Sequence, residues 1–110
     1  MTKPVSSAEL RATGKGNFSL SGELTFISVP KLWRKGEYPF IDTKKIALDL
    51  GEVTHSDSAG LALMVAWLRK SKSQNVTISF RNIPQQMLSL ARTAGIGFLL
   101  EGTDQQRKTS

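Results

Sequence analysis

The segment that most constrains the fold of this chain is residues 47–64, ALDLGEVTHSDSAGLALM. It begins inside a strand predicted over residues 45–50, whose near-continuous apolar run is typical of a strand covered on both faces. Gly51 is expected to break this strand. The four polar residues 55–58, His-Ser-Asp-Ser, are then expected to form a turn that leads into a helix. A strand, a polar turn and an apolar helix in this order favour an α/β fold.

The helix after this turn is predicted over about residues 58–72, because every residue from Leu61 to Leu68 is apolar. Ser58 is the expected N-cap, since its hydroxyl can accept a hydrogen bond from an unpaired amide of the first turn. A hydroxyl at the positive end of a helix dipole is also well placed to carry a phosphate or to meet an acidic partner. Ser58 is therefore the first candidate for a functional residue.

Both faces of this helix are apolar when its residues are placed at about 100° of rotation each. The face predicted to pack on the sheet carries large side chains: Leu61, Met64, Val65 and Leu68. The opposite face carries mostly small ones: Ala59, Ala62, Leu63 and Ala66. In so small a domain this second face needs cover, which either a neighbouring helix of the same chain or a partner protein supplies.

Weaker patterns predict the remaining elements. They are strands over residues 8–13 and 17–20 joined by a hairpin turn, a short helix over 28–35 with Ser28 as its cap, a strand over 75–80, a helix over 83–93 and a short edge strand over 98–100. The alternation of strands and helices in the second half predicts parallel pairing.

The length of 110 residues suits one domain and is too short for two. We expect a flexible N-terminus over residues 1–7, a single domain over 8–101 and a polar tail over 102–110. The first residues lack the apolar core of a secretory signal, and no stretch reaches the roughly 18 consecutive apolar residues of a membrane span. The sequence therefore predicts a soluble cytoplasmic domain without a membrane span of its own.

The net charge of +6, from 15 Lys and Arg against 9 Asp and Glu, favours acidic partners. The basic residues are scattered, however, and the compact group at residues 69–72 lies at a predicted helix C-terminus, where the dipole favours cations. No aromatic residues alternate with these cations to provide stacking surfaces for bases. Nucleic acid is therefore not a predicted partner.

Few residues in this sequence could support catalysis. There is no cysteine, and the single histidine, His55, has no second histidine with which to form a metal cluster. His55 lies near Asp57 and Ser58 in sequence, but a catalytic triad also needs a base poised on the nucleophile and oriented by a third group. Glycine-rich phosphate-binding motifs are absent. We predict that the chain is not an enzyme and binds neither a cofactor nor a metal.

Four segments together resemble the STAS family, the sulfate-transporter and anti-sigma-factor-antagonist domain. They are SGELTFISVPKLW, IALDLGEVTHSDSAGLALM, NVTISF and PQQMLSLARTAGIGFLL, and they cover nearly the whole predicted domain. The resemblance implies a STAS-like mixed sheet of four to five strands with helices packed mainly on one face. It also implies a domain that binds partner proteins and does not catalyse a reaction. One departure is Ser56, because the position before the aspartate is usually apolar in the family.

Two branches of the family imply different functions. The sequence is similar to the small cytoplasmic subunit of Mla-type ABC transporters, which maintain outer-membrane lipid asymmetry. This branch implies binding to the ATPase subunit, indirect association with an inner-membrane permease complex, and a location at the cytoplasmic face of the inner membrane. The alternative branch, the anti-sigma-factor antagonists, implies a switch in which a kinase phosphorylates Ser58.

The first branch implies a partner-binding surface at the turn and the outer face of the helix. The expected residues of this surface are Asp57, Ser58, Ala59, Gly60, Ala62, Leu63 and Ala66. Ser58 is also the expected phosphorylation site in the second branch.

Overall fold

The computed structural model describes residues 7–33, 39–40 and 43–101. Most of the predicted flexible N-terminus, the predicted end of the first helix at residues 34–36 and the polar tail at 102–110 lie outside the described residues. The elements are strands β1 (Ala8–Gly14) and β2 (Asn17–Leu24), helix α1 (Ser28–Trp33), strand β3 (Lys45–Ser56), helix α2 (Ser58–Ser73), strand β4 (Thr77–Arg81), and helices α3 (Gln85–Thr93) and α4 (Gly97–Glu101).

The strands form one mixed sheet in the order β1-β2-β3-β4. The β1–β2 hairpin is antiparallel, whereas β2 and β4 both pair parallel to the central strand β3. Each parallel pair is connected through a helix, as parallel neighbours require. The structure therefore confirms the mixed α/β fold and the parallel pairing, with four strands in the described part of the chain.

Strand β3 is longer than predicted, because Gly51 does not break it. Its pairing with β4 ends at Asp49, but its pairing with β2 continues to Ser56. Two register shifts in the β2–β3 pairing insert extra residues into β3, the first beside Gly51. Such bulges bend a strand without ending it, so both β3 and β2 extend beyond the predicted limits.

The predicted edge strand at residues 98–100 is wrong, since this segment belongs to helix α4. Gly95 ends α3 with a positive φ of 80°, and the Ile96 amide then donates to the Ala91 carbonyl. This left-handed glycine reverses the chain at once and starts a further helical turn. A run of three apolar residues fits a strand and a helix equally well in sequence, which is why the prediction failed.

The buried side chains of the strands point to one face of the sheet, where α1, α2 and α3 contact it. This arrangement confirms that the helices pack mainly on one face. The strand side chains that form the centre of the core are Leu20, Leu24, Ile46, Leu48, Leu50, Ile78 and Phe80. No helix within the described residues is long and apolar enough to cross a membrane.

Helix α2 is the main helical contribution to the core, but its buried stripe differs from the predicted one. Leu61 and Met64 are buried as expected, whereas Val65 and Leu68 are only half-buried. Leu63 was predicted to face outward; it is instead 2% exposed. The buried stripe thus comprises positions 60, 61, 63, 64, 67 and 71, and it is rotated toward Leu63 with the indole of Trp67 in the interior.

Ring contacts connect Trp67 on α2 to the chain before β3 and, through Phe40, to the start of β2. The Trp67 ring centroid lies 5.3 Å from that of Phe40, which in turn lies 4.9 Å from that of Phe18, both pairs edge to face. Among the described residues the buried Trp67 Nε1–H has no hydrogen-bond acceptor. Trp67 therefore contributes through packing, and its polar atom adds a desolvation cost.

This packing role predicts different costs for two substitutions of Trp67. Trp67→Phe should lower the free energy of unfolding by less than about 1.5 kcal/mol, because lost volume is offset by removal of the unpaired N–H. Trp67→Ala should cost roughly 3–5 kcal/mol. Urea denaturation measures both, with the exposed Arg69→Ala as a control expected within about 0.5 kcal/mol of wild type. Equal costs for Phe and Ala would contradict this account.

Candidate functional site

The N-terminus of α2 is capped by Asp57 and not by Ser58 as predicted. The Asp57 backbone is extended, at φ −102° and ψ −166°, and its Oδ1 accepts a hydrogen bond of 2.8 Å from the Ala59 amide. Its Oδ2 accepts a second bond, of 3.3 Å, from the Phe26 amide. A carboxylate suits this position because it satisfies a free amide and complements the helix dipole. Asp57 therefore ties the start of α2 to the chain before α1.

Ser58 is the first residue of α2 and its side chain is exposed. Because Asp57 performs the capping, the Ser58 hydroxyl is not needed to satisfy the helix. No hydrogen bond of this hydroxyl is found within the described part of the chain. The hydroxyl is thus presented to solvent at the positive end of a 16-residue helix.

The unusual Ser56 is accommodated through its own hydrogen bonds. Its side chain is 2% exposed, and its Oγ donates to the Asp57 carbonyl at 3.1 Å. Its amide donates to Oε1 of Gln86 on α3, at 3.2 Å. The polar residue therefore connects the end of β3 to α3 instead of disturbing the turn.

Gly60 allows α2 to start very close to the sheet. A Cβ added at Gly60 would overlap Ser56 Oγ and would lie 2.8 Å from Leu24 Cβ. These contacts are shorter than a side chain tolerates, so only glycine fits at this position without movement of the neighbours. Gly60 is buried, and its contribution to the predicted surface is to set the position of its neighbours.

The segment before α1 presents two large apolar side chains to solvent. Phe26 is 69% exposed and Ile27 is 48% exposed. The Thr25 hydroxyl accepts hydrogen bonds from the Ile27 and Ser28 amides, which holds this turn in shape. Ser28 does not act as the predicted cap, because it is buried and its hydroxyl bonds to the Thr25 amide and the Glu23 carbonyl.

A shallow apolar groove lies between this segment and the outer face of α2. We call it the α1–α2 groove; its volume is about 300 Å³ and its lining residues are Phe26, Val29, Ala59, Ala62, Leu63 and Ala66. Ala62 is exposed, while the buried Leu63 lies at the floor. The structure thus brings together the four apolar residues predicted for α2. It adds Phe26 and Val29, which the sequence analysis did not place on this surface.

A second groove lies on the other side of Ser58, between α2 and α3. This α2–α3 groove, of about 520 Å³, is lined by residues 55–58 together with Gln85, Gln86, Ser89 and Leu90. Sequence reasoning did not find the α3 residues, because nothing in their spacing indicates that α3 packs beside this turn. Ser58 therefore stands on a ridge between two grooves.

The arrangement around Ser58 does not resemble a catalytic one. His55 is exposed on β3, and within residues 43–101 no hydrogen bond joins it to Ser58. Both carboxylate oxygens of Asp57 are engaged by backbone amides. The described residues contain no group of three metal-ligating side chains. The geometry instead offers an exposed hydroxyl flanked by shallow grooves, which suits contact with another macromolecule.

Comparison with known proteins agrees with this description. A family model described as "Mlab, STAS domain" matches residues 8–101, which confirms the resemblance found in the sequence. The anti-sigma factor antagonist SpoIIAA, in its unphosphorylated form, has a similar structure with a TM-score of 0.59 at 16% identity, over 77% of this chain and 81% of that one. At this identity the likeness establishes the fold alone.

A second similar structure belongs to a much larger protein. It is the murine Solute Carrier 26 family member A9 anion transporter, with a TM-score of 0.56 at 18% identity over 78% of this chain. This chain corresponds to only 15% of the transporter. No curated protein sequence matches the chain.

The capping role of Asp57 predicts a measurable loss of stability. Asp57→Ala should lower the free energy of unfolding by about 1–2 kcal/mol, because it removes the acceptor of the Ala59 amide. Asp57→Asn retains a side-chain oxygen and should stay close to wild type. Thermal and urea denaturation measure both variants. If Ser58→Ala were the more damaging change, the assignment of the cap to Asp57 would be refuted.

Proposed function

We propose, because this chain belongs to the MlaB-type STAS domain family, that it is a non-catalytic subunit of a phospholipid-transport ABC complex and binds the ATPase subunit. In this proposal the chain works in the cytoplasm, at the inner membrane, where the ATPase links it to a permease complex. Its role is to support the ATPase in maintaining outer-membrane lipid asymmetry.

The observation that carries the proposal is the α1–α2 groove beside Ser58. Phe26 exposes a large apolar side chain in the same groove as Ala62, whose small side chain lets another backbone approach closely. Contiguous exposed apolar surface of this kind is typical of protein interfaces. A groove beside a helix also suits an amphipathic helix of the partner, which would lay its apolar face along it. The proposed interface therefore consists of the groove and the Asp57–Ser58 ridge.

Binding at this surface would act on the ATPase by differential affinity. A non-catalytic subunit stabilises whichever conformation of its partner it contacts better, by the difference in binding free energy. The exposed Ser58 hydroxyl lies at the positive helix end, so it is suited to donate a hydrogen bond to an acidic or carbonyl acceptor of the ATPase. The two hydrogen bonds of the Asp57 carboxylate fix the position of this hydroxyl relative to the groove.

Substitutions on the two parts of this surface test the interface. Ala62→Glu places a charge in the apolar groove, and Ser58→Arg places a large cation on the ridge. Each should weaken ATPase binding at least about thirtyfold, because an unpaired charge would be buried in the complex. Biolayer interferometry with the purified ATPase subunit measures the change, and circular dichroism should show an unchanged fold.

The matched control is Ser73→Glu, at an exposed position in the last turn of the same helix. It should bind the ATPase as wild type does. Wild-type affinity in both surface variants would refute the interface, and so would an equal loss in the control. Leu63→Glu is unsuitable as a test, because Leu63 is in the core.

A second candidate function is a regulator switched by phosphorylation of Ser58. The specific observation in its favour is that the Ser58 hydroxyl is exposed and takes no part in capping. A phosphate there would add roughly −1.5 to −2 charge next to the Asp57 carboxylate. The helix dipole would tolerate this charge within the domain, while an acidic partner surface docked on the ridge would be repelled.

Mass spectrometry of the protein purified from its native host separates the two candidates. The transport proposal expects unmodified Ser58, with Ser58→Ala binding the ATPase within about threefold of wild type, since a lone exposed hydrogen bond contributes little. The switch expects a phosphate on Ser58, and release of the partner by Ser58→Asp but not by Ser58→Asn. Detection of a substantial phosphorylated fraction would favour the switch over the transport proposal.

A further inference from the structure

We infer that the sheet face away from the helices carries a binding site for a phosphate-bearing anion, centred above Ala47 and Ser79. At this point the sheet places small side chains in the middle of a pocket and long cationic ones at its rim. The pocket has a volume of about 540 Å³. The residues that carry the inference are Lys15, Asn17, Lys45, Ala47, Ser79 and Arg81.

The register of the sheet builds the floor of this pocket. Asn17, Ala47 and Ser79 are paired across β2, β3 and β4, so their side chains stand side by side on one face. Their neighbours in sequence, Leu48 and Ile78, point to the core on the opposite face. The side chain of Ala47 is only a methyl group, so it leaves space for a ligand at the centre of the pocket. The Asn17 side-chain amide and the Ser79 hydroxyl provide neutral hydrogen-bond donors on either side.

The cations stand at the two ends of this floor. Lys45 lies two residues before Ala47 on β3, and Arg81 lies two residues after Ser79 on β4. From ideal strand spacings their Cα atoms are roughly 14 Å apart, so both long side chains can reach a group held between them. Arg81 can approach a phosphate with two parallel N–H donors, and Lys45 can approach it as a point charge.

The β1–β2 hairpin contributes the third cation, Lys15. Gly16 follows it with a positive φ of 75°, and the Gly16 carbonyl accepts a 2.8 Å hydrogen bond from the Ala47 amide. A Cβ on Gly16 would lie 2.7 Å from the Lys45 carbonyl oxygen, so the turn is pressed against β3. This close approach brings Lys15 to the rim of the pocket next to Lys45.

The lining of the pocket carries a net positive charge. The described residues that line it include three cations and no carboxylate. One carboxylate lies close by on this face, because Asp49 is the cross-strand neighbour of Arg81. Its Oδ1 accepts bonds from the Gly51 amide at 2.8 Å and from Asn82 Nδ2 at 3.0 Å, and no ion pair joins Asp49 to Arg81 in the part of the chain that the structure describes. Asp49 therefore offsets part of the charge of Arg81, but three cations against one carboxylate still leave the pocket positive.

The pocket fits a phosphate group better than it fits a base or an apolar chain. Its lining has cations and neutral donors, which is the donor set that phosphates require. No aromatic side chain among the lining residues offers a surface for base stacking. The site is also on the opposite face of the sheet from the α1–α2 groove, so it is independent of the proposed ATPase interface.

Nuclear magnetic resonance titration of the full 110-residue chain with sodium pyrophosphate, at low ionic strength, tests the site. The amide signals of Ala47 and Ser79 should shift with a common dissociation constant. The double variant Lys45→Gln, Arg81→Gln should weaken binding at least about tenfold, because two of three cations are lost. The control Arg69→Gln, Lys70→Gln removes the same charges from exposed positions on α2 and should stay within about twofold.

Vesicle co-sedimentation identifies the source of the phosphate. Binding of pyrophosphate without binding to phosphatidylglycerol vesicles supports a soluble phosphate compound as the ligand. Loss of phosphatidylglycerol binding in the pocket variant alone, with phosphatidylcholine vesicles unbound throughout, supports a lipid headgroup. Two results overturn the inference. The first is that the amide signals of Ala47 and Ser79 do not shift and the vesicles give no support either. That is the case if the wild-type protein does not bind phosphatidylglycerol vesicles, or if the pocket variant binds them as well as the wild type does. The other is an equal loss of binding in the control, which would show that net charge alone attracts the anion.

Discussion

The structure depends on the junction at which β3 ends and α2 begins. The Asp57 carboxylate accepts the Ala59 amide of its own helix and the Phe26 amide of the segment before α1. One side chain therefore fixes both walls of the α1–α2 groove relative to each other. Gly60 reinforces this contact, because its missing Cβ lets α2 rest directly on Leu24. The exposed Ser58 follows as a consequence, since a capped helix needs no hydroxyl from its first residue.

The two faces of the sheet have different roles in this account. The helical face is closed by an apolar core, and its described residues form shallow grooves at the surface, which suits the proposed contact with a partner protein. On the other face no helix within the described residues covers the sheet, and polar and cationic side chains stand in the register set by the parallel strands. A partner protein on one face and a phosphate group on the other could be bound together without competition.

The sequence predicts the secondary structure well where an apolar pattern is long. It predicts poorly where contacts between distant parts of the chain determine the structure. The apolar run of residues 61–68 predicted α2, and the family resemblance predicted the sheet. The extension of β3 past Gly51 could not be predicted, because bulges depend on the pairing with β2. The cap was assigned to Ser58 instead of Asp57, since both residue types suit that position. Leu63 was misplaced because the bulk of Trp67 decides how α2 is rotated on the sheet. Phe26 was missed because no local pattern distinguishes an exposed apolar side chain from a buried one.

The central claim is that the ATPase subunit occupies the α1–α2 groove and the Ser58 ridge. A cryo-electron microscopy structure of the native complex tests it most directly. The account predicts that Phe26 and Ala62 become buried against an apolar segment of the ATPase, with Ser58 within hydrogen-bond distance of it. A complex in which the ATPase contacts another surface, while Phe26 and Ala62 stay exposed, would contradict the account.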